Sequence, residues 1–377
     1  MAIASLGRIY EELGVRPVIN ASGNATILGG SVLSPSVRSA MEEANEVYVD
    51  MDEFLRATGR VIAELLETEA AFVTSGCAAA MALGTAACIT GNDIAKMERI
   101  PDTAGMRNQV AIQKRTRYKY DRCPTIVGAK LVEVGDENGT TREQLAECLG
   151  PETACVLYLA QAEGTPGTLS LDSVVEVAHS KGVPVLVDAA GEVYPLDYFK
   201  SFYKRGADLV CYGAKYFGAP HSTGVLAGKE DLVEAAYLNS FMGFEASPHR
   251  AFGRPLKVDR QEAIGVVVAL REWLTTDHEA RLRLSEQRAQ RIMERLRHLP
   301  NISLSLAPVG GNKATRLVIN LNEVALGKGA QQVWEALRKG NPPIWVRAHG
   351  STLLVATHTL REDEDEIVTR RLREELS

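Results

Sequence analysis

Residues 208–220 read Asp208-Leu-Val-Cys-Tyr-Gly-Ala-Lys215-Tyr-Phe-Gly-Ala-Pro220. An apolar run of strand length gives way at once to small residues, a lysine, two aromatics and a turn. A strand buried on both faces reads as such an unbroken apolar run, and ligands of α/β sheets gather beyond the carboxyl ends of the strands. The same pattern recurs outward from this stretch. Strand candidates are AAFVT (70–74), KLVEV (130–134), CVLYLA (155–160), PVLVD (184–188), DLVCY (208–212) and GVLA (224–227). Helical patterns lie between them. Residues 53–67 put Phe54, Leu55, Val61, Ile62, Leu65 and Leu66 on one face, and residues 170–181 open on a serine cap and close at Gly182. Apolar strands alternating with helices predict an α/β domain with a large, mostly parallel sheet covered on both faces.

The pattern changes after about residue 255. A long helical region (259–299) is followed by strand candidates ISLSL, RLVIN and TLLVA and by helices over 328–339 and 361–376. The expected organisation is an N-terminal segment (1–19), a large α/β domain (20–258) and a smaller C-terminal α+β domain (259–377). The first 20 residues either pack on the small domain or reach toward a partner subunit.

Composition bounds the function. The chain has 377 residues, 45% apolar and 24% charged, which is globular and excludes disorder, coiled coil and collagen. Its 42 basic and 48 acidic residues give a net charge of −6, so no overall attraction to nucleic acid or anionic membrane is expected. No apolar run is long enough for a transmembrane helix. The N-terminus has acidic residues and no clean apolar run, unlike a secretory signal. Six scattered cysteines without a C-x-x-C pair suggest reduced thiols and a cytoplasmic location. The seven histidines form no zinc motif, so no metal is expected.

Two apparent phosphate loops fail. GVLAGK (224–229) has three residues between its glycines where a P-loop needs four, and Glu230 stands where a magnesium-binding hydroxyl belongs. No G-x-G-x-x-G follows a strand, which argues against a dinucleotide site. Three other features carry chemistry. Thr74-Ser75-Gly76-Cys77 leads from a strand into an alanine-rich helix, offering a hydroxyl and free N–H groups to an anion, or simply a capped helix. Asp188 ends the run Val185-Leu-Val and is either a helix cap or a functional acid. Lys215, among small and aromatic residues, is either a snorkelling lysine or a desolvated, Schiff-base-forming amine. Together they are what pyridoxal 5'-phosphate needs: an amine for its aldehyde, a cradle for its phosphate and an acid for its ring nitrogen. A carboxylate about 4 Å from that nitrogen contributes roughly 4 kcal/mol at an effective dielectric of 20, or about three pKa units.

Here the chain resembles the fold-type I pyridoxal-phosphate enzymes, and within them the selenocysteine synthase-like group that includes D-glucosaminate-6-phosphate ammonia-lyase. The resemblance runs through Arg16-Pro-Val-Ile-Asn-Ala-Ser-Gly, Leu28-Gly-Gly-Ser, Glu69-Ala-Ala-Phe-Val-Thr-Ser-Gly, Gly128-Ala-Lys-Leu-Val-Glu-Val-Gly, Val187-Asp-Ala-Ala, Gly213-Ala-Lys-Tyr-Phe-Gly-Ala-Pro and Phe252-Gly-Arg-Pro-Leu-Lys-Val-Asp. It implies Lys215 as the Schiff-base lysine and base, and Asp188 as the ring-nitrogen partner. It implies Ser75, Gly76 and Cys77 at the phosphate, with Ser222 and Thr223 adding contacts. Asn20 and Ser22 lie in a segment that approaches substrate in relatives. The family also implies a homodimer or larger assembly.

The chain departs from the group in places. The family core starts near residue 15, leaving no room for a tRNA-binding domain, so a small-molecule amino acid is the expected substrate and tRNA is not. A Gly-His pair common near the cofactor is replaced by Gln113-Lys-Arg-Thr-Arg-Tyr-Lys-Tyr-Asp, so the group stacking on the ring is one of Thr116, Arg117 and Tyr118. The basic residues Lys114, Arg115, Arg117, Lys119 and Arg122 form either an anion-attracting entrance or a solvated loop. Arg117, Arg254 and Arg347 are candidates for a substrate carboxylate or phosphate, with Arg361 as a rival more suited to capping the last helix. His221 is a candidate acid–base helper or a structural hydrogen-bonder. The expected activity is at the Cα and Cβ of an amino acid or amino-sugar acid, with β-elimination by a lyase favoured by the subgroup. Transferase, racemase and aldolase chemistry, a tRNA-dependent transferase and a non-catalytic protein of this fold are the alternatives.

Overall fold

The computed structural model describes residues 8–377, so residues 1–7 of the expected N-terminal segment lie outside the described residues. The strands in chain order are β1 (Ile19–Asn20), β2 (Ala70–Thr74), β3 (Gln109–Gln113), β4 (Lys130–Val134), β5 (Thr153–Leu159), β6 (Val185–Asp188), β7 (Leu209–Gly213), β8 (Gly224–Gly228), β9 (Ile302–Pro308), β10 (Thr315–Leu321), β11 (Ile344–Trp345), β12 (Arg347–His349) and β13 (Thr352–Ala356). The chain divides into two compact units, one of residues Ser31–Thr275 and one made of residues 8–30 together with Thr276–Ser377.

The larger unit is built on a seven-stranded sheet in the order β2-β8-β7-β6-β5-β3-β4. Every pairing is parallel except those of β8, which runs antiparallel to both β2 and β7. The residues of β6, β7 and β8 are buried throughout, as their unbroken apolar sequence requires. Helix Cys77–Thr90 is buried along nearly its whole length. Its small residues let it lie close to the sheet: a Cβ on Gly84 would come within 3.0 Å of Leu186 and 3.3 Å of Leu209. Helix Met51–Leu66, capped by Asp50, covers β2, and a Cβ on its Gly59 would stand 2.2 Å from the Ala71 carbonyl.

The helical region expected over 259–299 is two helices, Arg260–Thr275 and His278–Leu296. The break falls where the Asp277 side chain accepts from the Ala280 N–H and caps the second helix. The first helix groups with the larger unit, because it packs on helices Pro35–Asn45 and Met51–Leu66 and its Trp273 donates to the Val193 carbonyl at 2.8 Å. The boundary between the compact units falls at residues 275/276, and residues 20–30 group with the smaller unit.

In the smaller unit the antiparallel sheet runs β12-β13-β10-β9. Leu317 and Ile319 of β10 pair with Val355 and Leu353 of β13, and all four are fully buried. Helices His278–Leu296, Ala330–Lys339 and Glu364–Leu376 supply the rest of this core through Ile292, Leu296, Val333, Leu337, Val368 and Leu372. β1 and β11 form a short parallel ladder.

Candidate active site

In the larger unit, the sheet order brings four loops to one edge. β2 leads into Ser75, β3 into residues 114–118, β6 ends on Asp188, and β7 runs into the turn Ala214–Phe217 that carries Lys215. Because β8 is antiparallel, its beginning, with Ser222 and Thr223 just before it, lies at the same edge.

Asp188 is the most constrained group there. It ends a fully buried strand between Leu159 of β5 and Cys211 of β7 and is itself 4% exposed. Burial pushes its carboxyl above the usual range, while three hydrogen bonds oppose that shift. The Tyr118 hydroxyl donates to Oδ2. The Ala190 N–H (3.0 Å) and the Cys77 thiol (3.5 Å) donate to Oδ1. Desolvation and the Asp188 charge hold the Cys77 and Tyr118 protons on, so both are donors at neutral pH.

Ser75 and Gly76 make a sharp turn from β2 into helix Cys77–Thr90. Gly76 takes φ +91°, a conformation that favours glycine. The Ser75 hydroxyl is buried and has no hydrogen-bond partner among the described residues. It lies beside the first N–H groups of a 14-residue helix, which have no intrahelical acceptors. The turn lies tightly on residues 222–224: a Cβ on Gly224 would stand 2.4 Å from the Gly76 carbonyl carbon and 2.6 Å from the Cys77 nitrogen. An orphaned hydroxyl at a helix N-terminus, in a crevice with no space for added side chain, suits a phosphate.

Lys215 is half-buried, with Nζ 5.1 Å from the centre of the Tyr216 ring. His221 stands near it. Burial first and the Lys215 charge second push the imidazole below its ordinary pKa, and its Nδ1 is buried without a partner among the described residues. A neutral imidazole and an amine thus share one environment at the sheet edge that also carries the buried Asp188, and the residues present fit pyridoxal phosphate.

The other expected residues fall as follows. Thr223 is buried and its hydroxyl donates to the Pro220 carbonyl, while the exposed Ser222 gives its hydroxyl to Glu262. Arg117 is ion-paired with Asp121 and Glu133, and Thr116 is turned back onto the Gln113 carbonyl. Of the three residues considered for the ring, Tyr118 is the one that reaches Asp188. Arg254 is ion-paired with Glu245. In the smaller unit, Asn20, Ser22 and Arg347 meet: the Asn20 carboxamide accepts from the Ser22 N–H at 2.9 Å, and Arg347 Nε donates to the Ser22 carbonyl at 2.9 Å. His358 had no place in the sequence reading. Burial and the charges of Arg281 and Arg347 hold it down to about 4, a neutral ring whose Nδ1 has no partner among the described residues. Lone histidines give no spacing signal, which is why it was not legible.

Comparison with known proteins gives a consistent placement. The family model "Aminotransferase class-V" matches residues 124–362. The chain is 34% identical to a Streptomyces 5'-C-glycyluridine monooxygenase-decarboxylase, over 97% of this chain and 91% of that protein. It is 30% identical to the D-glucosaminate-6-phosphate ammonia lyase of Salmonella typhimurium, over 97% of each. A solved structure of D-glucosaminate-6-phosphate ammonia-lyase superposes with a TM-score of 0.84 at 29% identity, covering 98% of each chain.

Proposed function

Since the chain belongs to the aminotransferase class-V family as a pyridoxal-phosphate enzyme of fold type I, we propose that it is a lyase acting at Cα and Cβ of an α-amino acid. The observation that carries this reading is Asp188, a buried strand-end carboxylate held by three donors at the edge that also bears Lys215 and Ser75. The substrate class we favour is an amino acid with a sugar-derived side chain. The names of two similar proteins, a glucosaminate phosphate enzyme and a glycyluridine enzyme, support it.

Pyridoxal phosphate, when bound, supplies an aldehyde for the amino group and a ring that draws charge away from Cα. The chain's own residues do the rest. Ser75 Oγ and the first N–H groups of helix Cys77–Thr90 bind the phosphate, with Gly76 and Cys77 shaping the cradle. The Asp188 carboxylate would keep a proton on the ring nitrogen, and Tyr118 and Cys77 keep Asp188 in place. Lys215 Nζ would hold the cofactor through its aldehyde, and the same amine is the group placed to move a proton at Cα. His221, neutral because burial and Lys215 depress its pKa, takes or returns a proton near that amine. Thr223 stiffens the loop on the phosphate side, and Ser222, hydrogen-bonded to Glu262, stands beside it. In the smaller unit, Arg347, its Nε held by the Ser22 carbonyl and Ser22 in turn by the Asn20 side chain, presents a guanidinium of the kind a carboxylate matches. Arg254 and Arg117 serve a phosphorylated substrate only by giving up Glu245 or Asp121.

A second reading, loss of the Cα carboxylate, is favoured by the similarity to a protein named as a decarboxylase. The two are told apart by product: ammonia and a keto acid for elimination, carbon dioxide for decarboxylation. We also read the protein as a cytoplasmic homodimer or larger homo-oligomer. Six unpaired cysteines support the first, and exposed apolar side chains such as Tyr48 (94%) and Val47 (59%) support the second. Among the described residues no helix is long and apolar enough to cross a membrane. The test is to record the visible spectrum of the purified protein and add amino and amino-sugar acids in turn. A cofactor band that only such acids perturb, with ammonia released, supports the reading; no band, or a band that none perturbs, refutes it.

A further inference from the structure

The smaller unit carries an open surface cavity of about 540 Å³, its lining including Trp334, Arg338 and Trp345 together with the exposed Arg16, Glu335 and Lys339. A cavity of this size is in the range of small-molecule sites. Three cations face it against one carboxylate, so it carries an excess of positive charge. The guanidinium carbon of Arg338 sits 4.2 Å from the centre of the Trp334 ring and 3.9 Å from that of Trp345. The two indoles stand at 76° to each other, so they form a corner that holds the guanidinium through its π faces. Trp334 is itself fixed, its Nε1 donating to the Val346 carbonyl at 3.0 Å.

That corner leaves the in-plane donors of Arg338 unused. Among the described residues no acceptor or carboxylate meets its guanidinium, and its Nε is buried without a partner. Arg371, by contrast, pairs with Glu374 and Glu375, and Arg205 with Glu163 and Asp172. The other cations of the cavity are loosely engaged: Arg16 reaches the Gly340 carbonyl at 3.4 Å, and Lys339 lies 3.7 Å from Glu335. A guanidinium immobilised by aromatic rings, its two Nη groups without an acceptor among the described residues, has the geometry that carboxylate and phosphate oxygens match in pairs. We infer that this cavity is an oxyanion site, with Arg338 as its fork and Arg16 and Lys339 as flanking charges, taking the carboxylate or phosphate group of a small molecule.

The site carries its own reporter, since two of the chain's three tryptophans form the corner. The cofactor-loaded protein is titrated with inorganic phosphate and, separately, with malonate at constant ionic strength, and tryptophan emission is read. The expected result is a saturable change with at least one of the two. A phosphate-only response assigns a phosphorylated ligand, and a malonate-only response a carboxylate. Arg338→Gln should weaken the response at least tenfold. A double variant, Arg16→Ala with Lys339→Ala, should weaken it while leaving the indole corner intact, which keeps the test decisive if Arg338→Gln does not fold. No saturable change with either anion, or unchanged binding in the double variant and in a folded Arg338→Gln, overturns the inference.

Discussion

Replacing Asp188 by asparagine separates the hydrogen-bond frame of this side chain from the charge we propose it offers to the cofactor ring. Asparagine fits the same hydrogen-bond frame. Its carbonyl can accept from the Ala190 N–H and the Cys77 thiol, and its amide can donate to the Tyr118 oxygen once that hydroxyl turns. The cofactor-free protein should therefore fold. In the wild type, burial raises the Asp188 carboxyl above its ordinary value of 3.8. A raised carboxyl pKa gives a contribution to stability that is fully present below that ordinary value and is lost as pH rises through the folded value. The asparagine amide does not titrate, so the cofactor-free Asp188→Asn variant should melt higher than the wild type at neutral pH and lose that advantage toward pH 4. Cofactor binding should move the opposite way. An ion pair at about 4 Å and an effective dielectric of 20 contributes roughly 4 kcal/mol, so the dissociation constant for pyridoxal phosphate should rise up to about a thousandfold. The assay is equilibrium dialysis against the cofactor, with thermal melts of the cofactor-free protein from pH 4 to 8. Cofactor affinity within threefold of wild type would refute the assignment of Asp188 to the ring nitrogen.

Ser75→Ala should leave the melting temperature unchanged or slightly raised, because the hydroxyl has no partner to lose. It should also weaken cofactor binding by about 1.5–3 kcal/mol, roughly ten- to hundredfold by dialysis. Tyr118→Phe removes one donor from a buried carboxylate, so the Asp188 carboxyl should rise further. The pH below which the protein releases cofactor should then shift upward, and an unshifted release profile would show that the hydroxyl does not act on Asp188. Gly224→Ala drives a Cβ into the Ser75–Cys77 turn, costing about 1–3 kcal/mol of stability by denaturant melts and displacing the phosphate cradle. Gly59→Ala, whose Cβ would meet the Ala71 carbonyl at 2.2 Å, should lower stability as much while leaving the residual folded protein's cofactor affinity intact.

Much of this was legible because burial writes itself plainly into parallel strands. β5 to β8 are nearly unbroken apolar runs; Asp188 ends β6, Lys215 comes just after β7, and Ser75 follows the similarly apolar β2. β3 was not legible: its apolar centre is three residues long, flanked by Gln109 and Gln113. The structure pairs the buried Gln113 carboxamide with both the N–H and the carbonyl of Leu169, which satisfies in the fold what looks like a polar loop in the sequence. The two-residue β1 and β11 carry no periodicity at all. The break between helices at Thr276 was hidden by continuous helical composition on both sides, although Asp277 is a good cap. At the site, Tyr118 sits in a stretch that reads as a charged loop. Only the ion pairs of Arg117 with Asp121 and Glu133, which turn the neighbouring cation outward, show why the tyrosine is the residue facing Asp188.

The central claim is that the amine at position 215 holds the cofactor. The purified protein is treated with borohydride to fix any such linkage, digested, and its peptides are sequenced by mass spectrometry. The account predicts a phosphopyridoxyl group on Lys215 and on no other lysine. An unmodified Lys215, or the group on a different lysine, would contradict it.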